Sequence, residues 1–265
     1  MAAVALKTDL SIDSYKRLEY LRTNERWNRK TIHFLQNNSD GGGLHLGVAG
    51  FENFNLICAN HSCEAILVDT NPIMNTALEL AKESISKAEN VNEFVNNFKK
   101  QLAEARITTP MDLDKMSTDL YWLRNESRFA YIKNLVKDGK ISILNLSICS
   151  EEFKETVSKI SSGKLTTFYF SNVPEWIDCY NHTQYINFMN YLQTLSKTHP
   201  RMVSIYSEFS APKKPTHVST FVTLYQTCCK GAPTTYYSPW SVESPWSVES
   251  SLTEDEKKEL TGTSI

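Results

Sequence analysis

The sequence predicts an α/β fold: a doubly wound, mostly parallel sheet with an antiparallel edge strand, an N-terminal helical leader and a helical insertion. Two observations predict it. Apolar runs of strand length alternate with stretches of helical periodicity along most of the chain, which is typical of a parallel sheet covered by helices on both faces. The 265 residues are 41% hydrophobic, which is enough for one large domain with a continuous core.

The strand candidates are short apolar runs bounded by polar or turn-forming residues. They lie at residues 44–50, 65–68, 140–148, 165–170, 202–206 and 218–226. The sixth run follows the fifth without a helical pattern between them. We therefore expect it to pair in the antiparallel direction at an edge of the sheet.

The helix candidates carry apolar residues at spacings of three and four. They lie at residues 15–36, 72–87, 91–137, 151–161 and 182–197. Asp13 or Ser14 is placed to cap the first, and Pro72 stands early in the second, where its missing N–H is tolerated. The pattern at 91–137 is broken near Thr108–Pro110, so we expect a helical insertion made of more than one helix.

These elements divide the chain into a leader (residues 1–40), a sheet domain (41–232) that contains the insertion, and a tail (233–265). The tail carries the six-residue sequence PWSVES twice in succession. Two short copies cannot build a repeat fold, so a flexible tail is expected. A docking motif for a protein partner is the alternative.

Charge and cysteine content exclude several classes of function. A net charge of -2 at pH 7 leaves no positive excess to neutralise a phosphate backbone, so no nucleic-acid partner is expected. The six cysteines show no zinc-ligand spacing, and neither a structural metal nor a disulfide is expected. Neither an export signal nor an apolar run of about 20 residues is found. We therefore expect a soluble, cytoplasmic protein without a membrane span.

The most specific functional pattern lies at residues 44–72, LHLGVAGFENFNLICANHSCEAILVDTNP. Gly47, Ala49 and Gly50 form a small-residue bend between a strand and a helix, where the backbone can approach a ligand closely. Asp69 follows at the tip of the next strand, where a carboxylate can accept hydrogen bonds from ribose hydroxyls. Together they predict a nucleoside-binding crevice. The alternative is a structural turn followed by a helix-capping aspartate.

LGVAG and VDTNP resemble the first two motifs of the class I S-adenosylmethionine-dependent methyltransferases, which have a Rossmann-like fold. By strand order the resemblance covers residues 43–226. It implies that the small-residue bend lines the methionine part of S-adenosylmethionine, that Asp69 binds the ribose, and that Asn71 contributes to the same site. The bend reads G-x-A-G rather than G-x-G-x-x-G, which favours this cofactor over a dinucleotide.

The resemblance also assigns residues that follow the third and fourth strands. In the family, a polar residue after strand three contacts adenine, and Asn145 and Ser147 stand at that point. Ser171 and Asn172 follow strand four, where residues of open sheets face the ligand. We expect Ser147, Ser171 and Asn172 to contact the cofactor.

Two residues further along are candidates for contact with the acceptor substrate. Glu175 could orient or deprotonate an acceptor amine or hydroxyl, and Trp176 could form a cation-facing wall. The alternative is that Glu175 caps the following helix and that Trp176 belongs to the core. SNVPEW, residues 171–176, differs from the signature of amino-group methylases of nucleic-acid bases, which also argues against a nucleic-acid substrate.

The segment VDTNPIMNTALELAKESI, with NEFVNNF after it, carries a second and local resemblance. It is similar to the segment after strand two in S-adenosylmethionine-dependent aminocarboxypropyl transferases of the betaine-lipid synthase kind, which also have a helical insertion. Those enzymes use the same cofactor but transfer another carbon group from its sulfur.

Arg22 and Arg26 in the leader are the remaining candidates for substrate binding. A leading helix can close over the cleft, and an arginine on it can bind a carboxylate bidentately. The alternative is a solvated or ion-paired surface.

The expected activity is methyl transfer to a small molecule or a protein side chain. Aminocarboxypropyl transfer is one alternative. The other is a non-catalytic interaction protein with a methyltransferase-like fold.

Overall fold

The computed structural model describes residues 16–18, 21, 28–39, 41–171, 173–210 and 219–226. The strands are β1 (Lys16–Arg17), β2 (Leu44–Val48), β3 (Glu64–Val68), β4 (Ile107–Thr108), β5 (Ile141–Leu144), β6 (Leu165–Ser171), β7 (Val203–Ser210) and β8 (Ser219–Gln226). The α-helices are α1 (Asn28–Asn38), α2 (Glu52–Asn60), α3 (Pro72–Lys87), α4 (Val91–Glu104), α5 (Met116–Asp119), α6 (Glu126–Lys137), α7 (Glu151–Ser158), α8 (Val173–Tyr180) and α9 (His182–Thr198).

The main sheet has the strand order β5-β3-β2-β6-β7-β8. Its first five strands are parallel, and β8 runs antiparallel to β7 at the edge. Residues of α2, α3, α4 and α6 pack in one apolar cluster with β3 and β5, and residues of α7 and α9 pack in another with β2 and β6. The structure therefore confirms the doubly wound α/β fold and its antiparallel edge strand.

The side chains of β2 alternate between the two faces of the sheet, because a strand has a side-chain period of two. Leu44, Leu46 and Val48 belong to the cluster that contains residues of α7 and α9. His45 and Gly47 face the other way and meet Asn53 of α2. The alternation thus brings one polar residue and one glycine under the start of α2.

A cluster of buried aromatic rings joins the helical insertion to α2. Its members are Phe51, Phe54, Phe94, Phe98, Trp122 and Phe129. The Trp122 ring centroid lies 5.1 Å from that of Phe54 and 5.3 Å from that of Phe94. Because these rings come from α2, α4, α6 and the turn between α5 and α6, the insertion shares one core with the sheet domain.

The leader differs from the sequence prediction at its start. Helical spacing predicts a helix from Tyr15, but Lys16–Arg17 form β1, which pairs in parallel with β4 of the insertion. The Lys16 N–H donates to the Arg106 carbonyl at 2.9 Å, and the Leu18 N–H donates to the Thr108 carbonyl at 2.8 Å. The conformation of this short stretch is set by its backbone pairing with the insertion. The periodicity of the local sequence does not indicate such a distant partner.

Two strand boundaries also differ from the prediction. The strand predicted at 140–148 is β5, and it ends at Leu144. It ends there because the chain turns at Ser147, whose carbonyl accepts from the Ser150 N–H at 2.9 Å. The fifth strand, predicted at 202–206, continues to Ser210, since β8 pairs with it along this length.

None of the described helices is both long and apolar enough to cross a membrane. The tail predicted at 233–265 with its PWSVES duplication lies outside the described residues.

We predict that Phe94→Ala lowers the free energy of unfolding by about 3–5 kcal/mol, because the truncation opens a cavity among the rings. Urea unfolding followed by circular dichroism measures this change. The matched control is Asn96→Ala, an exposed position on the same helix, with an expected change within about 0.5 kcal/mol. Equal effects of the two changes would show that the aromatic cluster does not hold the insertion in place.

Candidate functional site

The candidate site lies at the carboxyl ends of the central strands. From β2 the chain continues to β3 on one side of the sheet, whereas β6, the neighbour of β2 on the other side, continues to β7. Strand order therefore reverses between β2 and β6, and open α/β sheets bind ligands outside the carboxyl ends of strands at such a point. We use "crevice" below for the space outside the carboxyl ends of β2, β3 and β6.

The small-residue bend leaves β2 next to the end of β3. The Ala49 N–H donates to the Val68 carbonyl at 3.3 Å, so the bend is fastened to the residue before Asp69. Ala49 has a φ of 65°, a left-handed conformation that residues with a side chain adopt rarely. The adjacency of bend and aspartate that the sequence predicts is therefore present.

The Asn53 side chain supports the bend from the α2 side. Its amide nitrogen lies 3.0 Å from the Val48 carbonyl, 3.0 Å from the Ala49 carbonyl and 2.9 Å from the Gly50 carbonyl. Two amide hydrogens are thus shared among three acceptors. Three consecutive carbonyls are held by one side chain.

His45 holds the other end of the Asn53 amide. Its Nε2 lies 3.0 Å from Asn53 Oδ1, and its Nδ1 lies 2.8 Å from Thr167 Oγ1 on β6. Burial lowers the pKa of His45 from 6.5 to about 4, and the hydrogen bond with Asn53 offsets this only in part. The imidazole is therefore neutral at pH 7, with one donor and one acceptor. Since Asn53 Oδ1 can only accept, Nε2 carries the proton and Nδ1 accepts from the Thr167 hydroxyl.

Gly47 is small because Asn53 and His45 occupy the space beside it. A Cβ at position 47 would lie 1.7 Å from Asn53 Oδ1 and 2.7 Å from His45 Nε2. The absent side chain therefore makes room for the protein's own amide on this face. Contact between Gly47 and a cofactor stays a prediction, limited to the backbone.

The amide of Phe51, just before α2, is also occupied. The Phe51 N–H donates to the Leu21 carbonyl of the leader at 2.9 Å, and the Phe51 side chain is buried. Leu21 of the leader therefore contacts the end of the bend.

Asp69 is half-buried directly after β3. Burial raises the pKa of its carboxyl group, and backbone hydrogen bonds from Asn71 and Thr70 act in the opposite direction. The Asn71 N–H donates to Asp69 Oδ1 at 2.7 Å. A carboxylate has about four acceptor positions, so the group retains capacity for a ligand hydroxyl.

The neighbouring predicted residues have partners within the protein. The Asn71 side chain caps α3 and accepts from the Ile73 N–H at 2.9 Å. Ser147 Oγ accepts from the Cys149 N–H at 3.2 Å in the turn before α7. Both remain partly exposed, so their contact with a cofactor stays a prediction.

Asn75, which the sequence argument did not single out, connects Asp69 to Asn145. Its amide nitrogen donates to the Asp69 carbonyl at 3.0 Å and lies 3.3 Å from Asn145 Oδ1. The ends of β3 and β5 are therefore joined by a side chain of α3.

Ser171, at the end of β6, has a φ of 52°. The pairing of β6 with β7 shifts register between Tyr169 and Ser171. His61 and Arg106 also have positive φ, but they follow helices, where a left-handed residue is ordinary. Ala49 directly follows β2 and Ser171 is the last residue of β6, the two strands that flank the reversal of strand order. Backbone strain and irregular pairing at such positions are typical of functional sites.

Five predicted residues are described only in part or not at all. Arg22, Arg26 and Asn172 lie outside the described residues, and of Glu175 and Trp176 only the backbone is described. These last two lie within α8, which begins at Val173 directly after β6. Their position beyond β6 is the one the sequence predicts.

Sequence reasoning missed the roles of His45, Asn53 and Asn75. The available signal was a polar residue alternating with apolar ones on a buried strand, followed by asparagine in the first turn of the next helix. A polar residue at such a position must find a buried partner.

Other features of the described residues do not add to this site. No group of three or more His, Cys, Asp or Glu among them could hold a metal ion. A surface groove of about 590 Å³ runs along α3 and α6, where Leu80 and Val136 are flanked by charged side chains, and it does not include the bend.

We predict that His45 makes the protein less stable in acid. Because the folded pKa is about 4 and the unfolded pKa is about 6.5, the unfolded chain takes up the proton first as the pH falls. The stabilisation is complete above pH 6.5 and about 3 kcal/mol of it is lost by pH 4. Urea unfolding between pH 7.5 and pH 4 measures this loss.

His45→Gln removes the titrating group and is expected to flatten that part of the pH profile relative to the unsubstituted protein. His61→Asn is the control, since it removes an exposed histidine at a left-handed position and leaves His45 in place. An identical slope in the His45→Gln protein would contradict the assignment.

Residues 20–111 and 104–199 match the family described as Domain of unknown function (DUF7790). No curated protein matches the chain. The two matched stretches together span residues 20–199, more than half of the 265 residues. The chain therefore belongs to the family described as Domain of unknown function (DUF7790).

Proposed function

We propose that the protein is an S-adenosylmethionine-dependent methyltransferase that acts on a small molecule or a protein side chain. The observation that carries the proposal is the half-buried carboxyl group of Asp69 beside the strained bend, at the reversal of strand order. A nucleoside needs an acceptor for its ribose hydroxyls and a close approach to backbone, and this edge of the sheet offers both.

The residues of the crevice fit the adenosine end of this cofactor. Asp69 retains acceptor capacity after its bond from Asn71, and Asn145 is exposed at the next strand end. The face of Gly47 is filled by Asn53, so the methionine end would rest against Ala49 and Gly50 rather than against Gly47. The proposal thus assigns the cofactor to a narrower part of the bend than the sequence suggests.

The transfer itself places modest demands on the protein. When bound, the cofactor supplies a methyl carbon on a positively charged sulfur. An acceptor lone pair forms a bond to this carbon while the carbon–sulfur bond breaks and its electrons pass to sulfur. Holding the acceptor in line with the carbon–sulfur bond can lower the activation free energy by up to about 7–11 kcal/mol. Glu175, in α8 beyond β6, is proposed to take the proton that the acceptor loses, with Trp176 beside the sulfur.

Two features favour the alternatives. The helical insertion follows α3 directly, in keeping with the likeness to aminocarboxypropyl transferases, in which the acceptor attacks another carbon on the same sulfur. The Gly50 carbonyl and the Phe51 N–H at the bend are already hydrogen-bonded to Asn53 and Leu21, so they are not available to a ligand. This favours an interaction protein without catalysis. Binding and product measurements separate the three.

We predict that S-adenosylmethionine and S-adenosylhomocysteine bind with micromolar dissociation constants, as measured by isothermal titration calorimetry. Asp69→Ala is expected to weaken binding by at least about 1–3 kcal/mol, because the ribose hydroxyls lose a charged acceptor. Since burial raises the pKa of Asp69, the affinity should fall on acidification at a higher pH than for an exposed aspartate.

Asp138→Ala is the matched control, because it removes an exposed aspartate at the end of α6, and it should leave the affinity unchanged. Unaltered affinity in Asp69→Ala would remove the ribose assignment. Absence of binding by the unsubstituted protein would overturn the proposed function.

We predict that turnover releases S-adenosylhomocysteine. Incubation with S-adenosylmethionine and a panel of amines, thiols and peptides, followed by mass spectrometry, identifies the product. Methylthioadenosine in its place would assign aminocarboxypropyl transfer. Tight binding without either product across the panel would support the non-catalytic alternative.

A further inference from the structure

The direction of the peptide groups in the bend follows from the contacts of Asn53. Asn53 binds the carbonyls of Val48, Ala49 and Gly50, and these peptide bonds are trans. In a trans peptide the N–H points away from the carbonyl. The N–H groups of the next residues, Ala49, Gly50 and Phe51, are therefore directed away from the Asn53 side chain.

Two of these three N–H groups have acceptors. The Ala49 N–H donates to the Val68 carbonyl, and the Phe51 N–H donates to the Leu21 carbonyl. No described residue accepts from the Gly50 N–H, although Gly50 is buried. A buried backbone N–H without an acceptor costs free energy and is rare in proteins.

We infer that Asn53 is a positioning residue for the proposed cofactor site: its amide turns the Gly50 N–H toward the crevice, where it donates to an oxygen of the cofactor. This inference rests on the proposed function, because that function supplies the acceptor. Asn53 does not touch the cofactor and acts through the backbone of Gly50.

The three carbonyls and His45 together fix the orientation of the Asn53 amide. An amide can rotate by half a turn with little change of shape, and in the rotated state its oxygen would face the three carbonyls. The Nε2–H of His45 requires the oxygen on its own side, which leaves the NH₂ group for the bend. The Thr167 hydroxyl on β6 can donate to Nδ1 in this tautomer.

The contact between Gly47 and Asn53 allows a test that separates positioning from packing. Asn53→Ala removes the donors and leaves a void beside Gly47. Gly47→Ala adds a methyl group where Asn53 Oδ1 lies, 1.7 Å from the new Cβ. In the double variant the methyl group fills part of the void and the end of the His45 ring, whose Nε2 lies 2.7 Å from the new Cβ, must move aside, but no donor returns.

We predict that the double variant regains part of the melting temperature lost in Asn53→Ala and still binds S-adenosylmethionine at least tenfold more weakly than the unsubstituted protein. His45→Gln, which can place an amide nitrogen where Nε2 lies, is expected to keep affinity within about threefold, as a single hydrogen-bond change allows. His45→Leu should lose at least tenfold. Recovery of both stability and affinity in the double variant would overturn the inference.

An experiment without ligand keeps the inference distinct from the proposed function. Amide hydrogen exchange by NMR on the ligand-free protein should show protected Ala49 and Phe51 amides, and this protection should fall at least tenfold in the double variant. Unchanged protection would refute positioning by Asn53 even if the cofactor binds. If protection falls but the unsubstituted protein binds no cofactor, the proposed function fails and the inferred Gly50 contact fails with it.

Discussion

The fit between the Asn53 amide and the empty face of Gly47 is the constraint on which the crevice depends. A side chain at position 47 would displace the amide, and loss of the amide would leave three carbonyls in the interior with fewer partners. An unsatisfied buried polar group costs about 1–3 kcal/mol. The glycine on β2 and the asparagine in the first turn of α2 are therefore physically dependent on each other.

Contacts elsewhere in the fold hold α2 at the distance from the sheet that this fit requires. On the side of the insertion, the aromatic rings around Trp122 pack against α2. On the side of the sheet, the contact between His45 and Thr167 joins β2 to β6. Every residue of α2 is buried, so the helix has neighbours on all sides. A shift of the helix along its axis would break polar contacts at the bend and apolar contacts in the core together.

The succession of the main strands and helices could be predicted from the sequence, because the spacing of apolar residues indicates which faces are buried. The adjacency of Asp69 to the bend followed from the rule that parallel strands end at one edge. The reason why residue 47 is glycine could not be deduced from the sequence. A glycine that makes room for a ligand and a glycine that makes room for a neighbouring amide are identical in the sequence. His45 and Asn53 lie on different elements, and only the spacing between β2 and α2 decides that they meet.

The pairing of β1 with β4 joins residues about 90 positions apart in the chain. Closing a loop of this length has an entropic cost, which the contacts formed at its ends must offset. During synthesis β1 is made before β4, so it can pair only after this part of the insertion has been synthesised. The segment that carries Leu21 to Phe51 therefore takes its backbone partner from residues that are translated about 90 positions later.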